Sequence, residues 1–127
     1  MSSGLIIGKF LPPHRGHEYL VNFAWSFAEH VTVQVCSIAS EPIPGYIRFA
    51  WMQETFGPVA DITVVHNSDE NPQVPEDCPD RFWEIWKDSL LRHMAGRPDL
   101  LFASEDYGLK LEEQAFAALS SLISDVT

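Results

Sequence analysis

The chain has 127 residues, of which 46% are hydrophobic and 20% charged, a composition typical of one folded domain. Its formal net charge of -10 argues against a DNA- or RNA-binding surface, because such surfaces are rich in Lys and Arg. No apolar run is long enough for a membrane span, and no signal peptide is recognisable, so we expect a cytoplasmic protein with no membrane partner.

Strands and helices are predicted to alternate along the chain. Short apolar or β-branched runs predict strands at 5–8, 31–36, 62–65 and 100–103. Amphipathic runs predict helices at 16–29, 44–57, 79–95 and 109–122. In the first helix the predicted apolar face consists of Tyr19, Leu20, Phe23, Ala24, Phe27 and Ala28.

This alternation predicts an α/β fold of the Rossmann-like, three-layer type, with a parallel sheet covered by helices on both faces. In such sheets ligands bind beyond the carboxyl ends of the strands, where the strand order reverses. The loops that follow Ile7, Cys36, Val65 and Ala103 are therefore the expected location of a site. Cys36 and Cys78 have no metal-binding spacing and are expected to be free thiols.

The first of these loops has the composition of a phosphate site. Its glycines let the backbone approach a ligand, and the following helix start offers unpaired amides. Lys9 and Arg15 add positive charge, and His14 and His17, three residues apart, can donate hydrogen bonds to phosphate oxygens. The loop reads Gly8-Lys9-Phe10-Leu11-Pro12-Pro13-His14-Arg15-Gly16-His17.

Two other interpretations of this loop stay open. His14 and His17 could be half of a metal site, although no third cluster of ligands with a suitable spacing follows. The loop could also be a simple connection between strand and helix, although a connection needs neither two histidines nor two cations. A Walker loop is excluded, because the GxxxxGK[ST] pattern is absent.

The ten residues match the GxFxPxHxGH pattern at every fixed position, and the chain therefore resembles the HIGH-motif nucleotidyltransferases. The resemblance implies that His14, His17 and Lys9 are catalytic. It also implies that Gly8, Phe10, Arg15 and Gly16 bind the nucleotide. In this family an acceptor phosphate attacks the α-phosphate of ATP in line, pyrophosphate leaves, and Mg²⁺ accompanies the ATP.

Three looser stretches, 43–48, 83–86 and 103–108, resemble nicotinamide mononucleotide adenylyltransferases, in particular the adenylyltransferase half of bifunctional enzymes that also carry a ribosylnicotinamide kinase. The resemblance implies that Arg48, Trp83 and Trp86 bind the acceptor, with Trp86 stacked on the nicotinamide ring. It places Ser104 and Glu105 beside the adenylate. The implied reaction joins AMP from ATP to nicotinamide mononucleotide and gives NAD and pyrophosphate.

Each of these assignments has an alternative. Arg48 could be a solvated helix residue, and Trp83 and Trp86 could belong to the core. Glu105 could cap a helix. The acceptor could be another phosphorylated molecule, as in pantetheine-phosphate adenylyltransferases or cytidylyltransferases, and the chain could be a non-catalytic nucleotide-binding module.

We expect residues 1–127 to form one nucleotidyltransferase domain that is incomplete at its C-terminal side. The family continues to a fifth strand and an S/T-x-x-x-R segment that holds the distal phosphates, whereas this chain has no arginine after Arg97. We therefore expect weak activity or none from the chain by itself. The fourth strand, as an apolar edge, would then favour self-association.

Overall fold

The computed structural model describes residues 2–103, in which four strands and three α-helices alternate. The strands are β1 (Ser3–Gly8), β2 (His30–Cys36), β3 (Ile62–Asn67) and β4 (Leu100–Ala103). The helices are α1 (Arg15–Phe27), α2 (Gly45–Phe56) and α3 (Phe82–Arg92), and a short 3₁₀ helix lies at Pro75–Asp77. The predicted helix at 109–122 lies outside the described residues. None of the described helices has the length and hydropathy of a membrane span.

The sheet confirms the predicted α/β, Rossmann-like architecture. Its strand order is β3-β2-β1-β4, and each neighbouring pair is parallel. The chain therefore moves outward from β1 through β2 to β3 and then returns to the other side of β1. The loop after β1 lies at this reversal of strand order, which is the place where such sheets bind ligands.

Alternate residues of β1 enter two separate cores, which gives three layers. Ile6 packs with α1 and α2 on one face, whereas Leu5 and Ile7 pack with α3 on the other. Both faces of the central strands are therefore covered, as expected for a parallel sheet with helices on both sides. The α3 helix is three residues shorter at each end than its predicted range of 79–95.

The predicted apolar face of α1 is only partly correct. The residues that α1 and its C-cap bury are His17, Val21, Ala24 and Ala28, whose spacing follows one side of a helix. Tyr19, Phe23 and Phe27 are instead 72%, 42% and 61% exposed. These three aromatic side chains form a stripe of neighbouring rings along the helix surface. Small Val and Ala side chains face the sheet because they let the helix approach it closely.

A buried polar network fixes α3 and the loop after β3 to the sheet. Gln34, in the middle of β2, donates from Nε2 to the carbonyl of Leu90 in α3 at 2.8 Å. Asn67, at the end of β3, donates to Gln34 Oε1 at 3.1 Å and to Ser89 Oγ at 3.0 Å. Asn71 donates to the same Ser89 oxygen at 2.9 Å. Since buried polar groups are costly when unpaired, these bonds define one position of the loop.

The orientation of α1 can be tested with Val21 and Tyr19. We expect Val21→Ala to lower the free energy of unfolding by about 2–3 kcal/mol, because it removes buried methyl groups and leaves a cavity. Tyr19→Ala should change it by less than about 0.5 kcal/mol, because the ring is largely exposed. Urea unfolding of both variants measures the difference. Equal losses would mean that the tyrosine face packs on the sheet.

Candidate nucleotide-binding and acceptor site

Phe10 turns the loop after β1 back over the end of the sheet. Its backbone has a φ of 52°, which is rare for a residue with a side chain, and its ring is buried in the core with α1 and α2. The ring lies against Gly8, where a Cβ atom would be 2.9 Å from the ring carbon Cζ. The predicted nucleotide contact of Phe10 thus cannot come from its ring in this arrangement, and only its main chain remains for that role.

His14 and His17 form a reciprocal cap at the start of α1. His14 is the N-cap, and its Nδ1 accepts a hydrogen bond from the amide of Gly16 at 3.0 Å. The Nδ1 of His17 accepts from the amide of His14 at 3.1 Å. Because both Nδ1 atoms are acceptors, each neutral ring carries its proton on Nε2. Both Nε2 atoms are therefore set as hydrogen-bond donors.

Ring contacts hold the two histidines in place. Their rings are stacked with centroids 3.8 Å apart, and the His17 ring meets the edge of Phe10 at 4.6 Å. His17 is 3% exposed, whereas His14 and Arg15 are exposed. A Cβ atom on Gly16 would lie 2.8 Å from Cε1 of His14, so glycine leaves the space in which the His14 ring lies. The fixed glycines of the motif are thus explained by the positions of Phe10 and His14.

Lys9 points into a shallow cleft between the loops that follow β2 and β3. Its Nζ donates to Glu41 Oε2 and to Gln73 Oε1. The cleft is lined by Lys9, Cys36, Ser37, Ile38, Asp69, Gln73 and Trp86. Neither histidine lines this cleft, so the polar side chains of the loop after β1 do not all face one cavity.

Arg48 is fully buried, so the interpretation of this residue as a solvated arginine is wrong. Its Nε donates to the carbonyl of Ile43 at 2.9 Å, Nη1 to the carbonyl of Lys9 at 2.8 Å, and Nη2 to Glu41 Oε1 at 2.8 Å. Its guanidinium thus ties the start of the loop after β1 to the segment that precedes α2. It does not line the cleft, and its contact with an acceptor stays a prediction.

Trp86 belongs to the core under α3 and also lines the cleft. It is 6% exposed, and its Nε1 donates to the carbonyl of Pro72 at 2.8 Å. Trp83 is half-buried beside the same core, with its ring edge-on to Phe82 at 4.4 Å. Trp86 is therefore the tryptophan whose surface borders Lys9, and its burial also gives it a structural role.

Charge around the cleft is balanced by two carboxylates. Burial alone would raise the pKa of Glu41, but hydrogen bonds from Lys9, the Ile38 amide and Arg48 outweigh it and hold that pKa below its ordinary value of 4.5. A hydrogen bond from Ser89, then those from Arg92 and His93, hold the pKa of Asp69 below 3.8 despite partial burial. Both groups are therefore carboxylates near neutral pH.

Several residues of this region were not found by sequence reasoning. Glu41 and Gln73 lie in loops without a recognisable pattern, and only the fold brings them to Lys9. Ser37 Oγ and His66 Nε2 lie 2.7 Å apart at the ends of β2 and β3, in contact with the start of α2 at Gly45. Burial, followed by the charges of Arg48 and His93, lowers the pKa of His66.

The thiol of Cys36 also belongs to the cleft wall. Burial raises the pKa of Cys36 to about 12, so it is a neutral packing residue there. Within residues 2–103 no group of three or more His, Cys, Asp or Glu side chains could hold a metal ion. Ser104 and Glu105, predicted beside the adenylate, lie outside the described residues.

The sequence matches no protein-family model. The chain is similar to NadR. It is 26% identical over 120 residues to the trifunctional NAD biosynthesis/regulator protein NadR of Escherichia coli (strain K12). The aligned region covers 81% of this chain and 28% of that protein. Sequence and fold together therefore describe a NadR-like α/β domain.

Two crystal structures of NadR share the fold. One, in complex with NAD and AMP-PNP, has a TM-score of 0.65 at 14% identity and covers 91% of this chain and 41% of NadR. The other, in complex with NR, has a TM-score of 0.64 at 20% identity and covers 89% of this chain and 33% of NadR. The chain spans less than half the length of each of these relatives.

The lowered pKa values of Glu41 and Asp69 make the free energy of unfolding depend on pH in the acid range. A carboxyl group whose pKa is lower in the folded state stabilises the fold above its unfolded pKa and loses that effect as the pH falls through its folded pKa. We expect the free energy of unfolding to decline between about pH 5 and pH 2. Asp69→Asn should make this decline shallower, whereas Asp88→Asn, at an exposed position of α3, should leave it unchanged. Parallel slopes for Asp69→Asn and the native chain would contradict the role of Asp69.

Proposed function

We propose that this chain binds ATP at the start of α1 and contributes to the transfer of AMP to nicotinamide mononucleotide, giving NAD and pyrophosphate. The observation that carries the proposal is the pair of stacked histidines, whose Nδ1 atoms are used by backbone amides and whose Nε2 atoms are set as donors. The similarity to NadR, structures of which hold NAD and AMP-PNP, supports adenine nucleotides as ligands.

The proposed reaction needs no general base and no covalent intermediate with the protein. A phosphate monoester has a second pKa of about 6, so the acceptor is mostly ionised at neutral pH and attacks without a general base. The bond from the acceptor oxygen to the α-phosphorus forms while the bond to the β-phosphate oxygen breaks, and pyrophosphate leaves with its electrons. Alignment and neutralisation of the developing charge then determine the rate.

The described residues can supply both requirements. In this proposal His14 and His17 donate from Nε2 to phosphate oxygens, the start of α1 contributes a partial positive charge, and Arg15 adds a cation at the surface. The ATP enters with Mg²⁺ on its phosphates, which neutralises part of their charge. Because the histidine rings are fixed before the ligand arrives, little rearrangement is needed on binding.

The cleft that holds Lys9 is the proposed acceptor side of the site. It lies at the same carboxyl edge of the sheet as the histidines, but towards α3, and it combines one ammonium group with the surface of Trp86. An ammonium suits a phosphate, and an indole suits the flat cationic nicotinamide ring. Ser104 and Glu105 remain predicted adenylate contacts.

The role of His17 can be separated from its structural role by comparing activity with stability. We expect His17→Ala to slow transfer by about 100- to 1000-fold, because a donor to the transferring phosphate is lost. It should also cost about 1 kcal/mol of stability, since the His17 ring caps the helix. Glu18→Gln, at the neighbouring but exposed position of the first turn, is the control and should leave turnover unchanged.

Pyrophosphate release with ATP, Mg²⁺ and nicotinamide mononucleotide measures these effects, on residues 1–127 and on any longer form of the protein. Near-normal turnover of a folded His17→Ala variant would refute the assignment. Binding of ATP without turnover in every form would favour a non-catalytic nucleotide-binding module.

The proposed contact of Trp86 needs a mild substitution. Trp86→Ala should lower stability by about 3–5 kcal/mol, because the ring fills the core under α3. Trp86→Phe keeps an aromatic ring and removes the hydrogen bond to Pro72. We expect it to weaken binding of nicotinamide mononucleotide more than that of ATP in calorimetric titrations, whereas Trp83→Phe should weaken neither as much. Equal effects on both ligands would indicate a purely structural role.

A further inference from the structure

Glu41 is the side chain that joins the two buried or half-buried cations of the site. Its Oε1 accepts hydrogen bonds from Arg48 Nη2 at 2.8 Å and from the amide of Ile38 at 2.9 Å. Its Oε2 faces Lys9 and pairs with Nζ. The side chain of Glu41 is only 8% exposed, so its orientation is set by these partners and not by solvent. No sequence motif includes it.

A carboxylate beside a phosphate site is unfavourable unless it acts on a cation. Here Glu41 faces two cations, Lys9 and Arg48, so this trio of side chains carries one net positive charge, while Asp69 at the other side of the cleft pairs with Arg92. An ammonium has three N–H donors, and the hydrogen bonds seen among residues 2–103 use two of them, towards Glu41 and Gln73. The third donor is not used by a hydrogen bond among these residues, and it is the one through which Lys9 would reach a ligand.

We propose that Glu41 is a positioning residue that, with Gln73, holds the ammonium of Lys9 in the cleft beside Trp86, where Lys9 binds the phosphate of the acceptor and not the triphosphate of ATP. This inference rests on the proposed function for the identity of the acceptor. It assigns Lys9 to the acceptor. It also gives a role to Glu41, a loop residue that contacts neither the acceptor nor ATP. Without the hydrogen bonds from Lys9 to Glu41 and Gln73, the flexible Lys9 side chain would sample many positions. The entropy lost when a ligand orders it would then weaken acceptor binding.

The matched variants are Glu41→Gln and Glu70→Gln. Glu41→Gln keeps the shape of the side chain and removes the charge that holds Lys9. Glu70 is exposed and caps the same loop through a 3.0 Å hydrogen bond from the amide of Ala39, without pairing with a cation among the described residues. Glu70→Gln therefore controls for loss of a loop contact alone, and thermal unfolding identifies any variant that fails to fold.

The first measurement is the rate at which an amine-reactive acylating reagent modifies Lys9, followed by mass spectrometry with Lys87 as the internal reference. A tethered amine is shielded, so Glu41→Gln should speed modification of Lys9 relative to Lys87 severalfold, and Glu70→Gln should not. This readout needs neither substrate nor turnover. An unchanged rate in Glu41→Gln would overturn the tether.

The second measurement is calorimetric titration with nicotinamide mononucleotide and, separately, with ATP. Glu41→Gln should weaken binding of the mononucleotide by about tenfold, the effect of one lost charge-assisted contact, and leave ATP within about twofold. In a Lys9→Ala background the substitution should have no further effect, because Glu41 acts through Lys9. Equal weakening of both ligands, or an undiminished effect without Lys9, would refute the proposal.

These measurements separate the two hypotheses. If the native chain binds the mononucleotide but never releases pyrophosphate, the proposed transfer fails and the positioning role is still tested by binding. If Lys9 is tethered but the native chain does not bind the mononucleotide, the assignment of Lys9 to that acceptor is overturned.

Discussion

A buried guanidinium determines the geometry of the whole site. Arg48 is completely buried, and burial of a charge is tolerated only when every part of it meets a partner. Its three partners are the carbonyls of Ile43 and Lys9 and the carboxylate of Glu41. If the loop after β1 shifted, the buried guanidinium of Arg48 would lose its hydrogen bond to the Lys9 carbonyl. Arg48, which the resemblance placed at the acceptor, holds in place the loop that carries Lys9, His14 and His17.

That loop distributes its functional groups to two sides of the sheet edge. Lys9 points towards the cleft under α3, and after the turn at Phe10 the chain reaches His14 and His17 at the start of α1. The buried ring of Phe10 lies between these two parts of the loop and supports the His17 ring. The polar side chains of one ten-residue segment thus lie at two places along the carboxyl end of the sheet, beside the point where the strand order reverses.

The exposed aromatic stripe of α1 shows where amphipathic patterns mislead. The spacing of Tyr19, Phe23 and Phe27 is helical, and so is that of Val21, Ala24 and Ala28, because neighbouring faces of one helix have the same period. Hydrophobicity alone predicts that the larger aromatic rings are buried. The smaller side chains are buried against the sheet instead, because they permit closer packing of the helix. Periodicity therefore identified the helix correctly and gave its orientation only in part.

The sequence by itself determined the four strands, the three described helices and the position of the polar loop after β1, because each depends on residues that are neighbours along the chain. Apolar runs, helix-start residues and the fixed glycines act locally, and the capping bonds of His14 and His17 span only a few residues. Only the tertiary structure decided that Glu41 and Gln73 hold Lys9, that Gln34 and Asn67 anchor α3, and that Arg48 is buried. These contacts join residues far apart in the chain, and what selects them is the requirement that polar groups buried by the packing of β-strands and helices find partners.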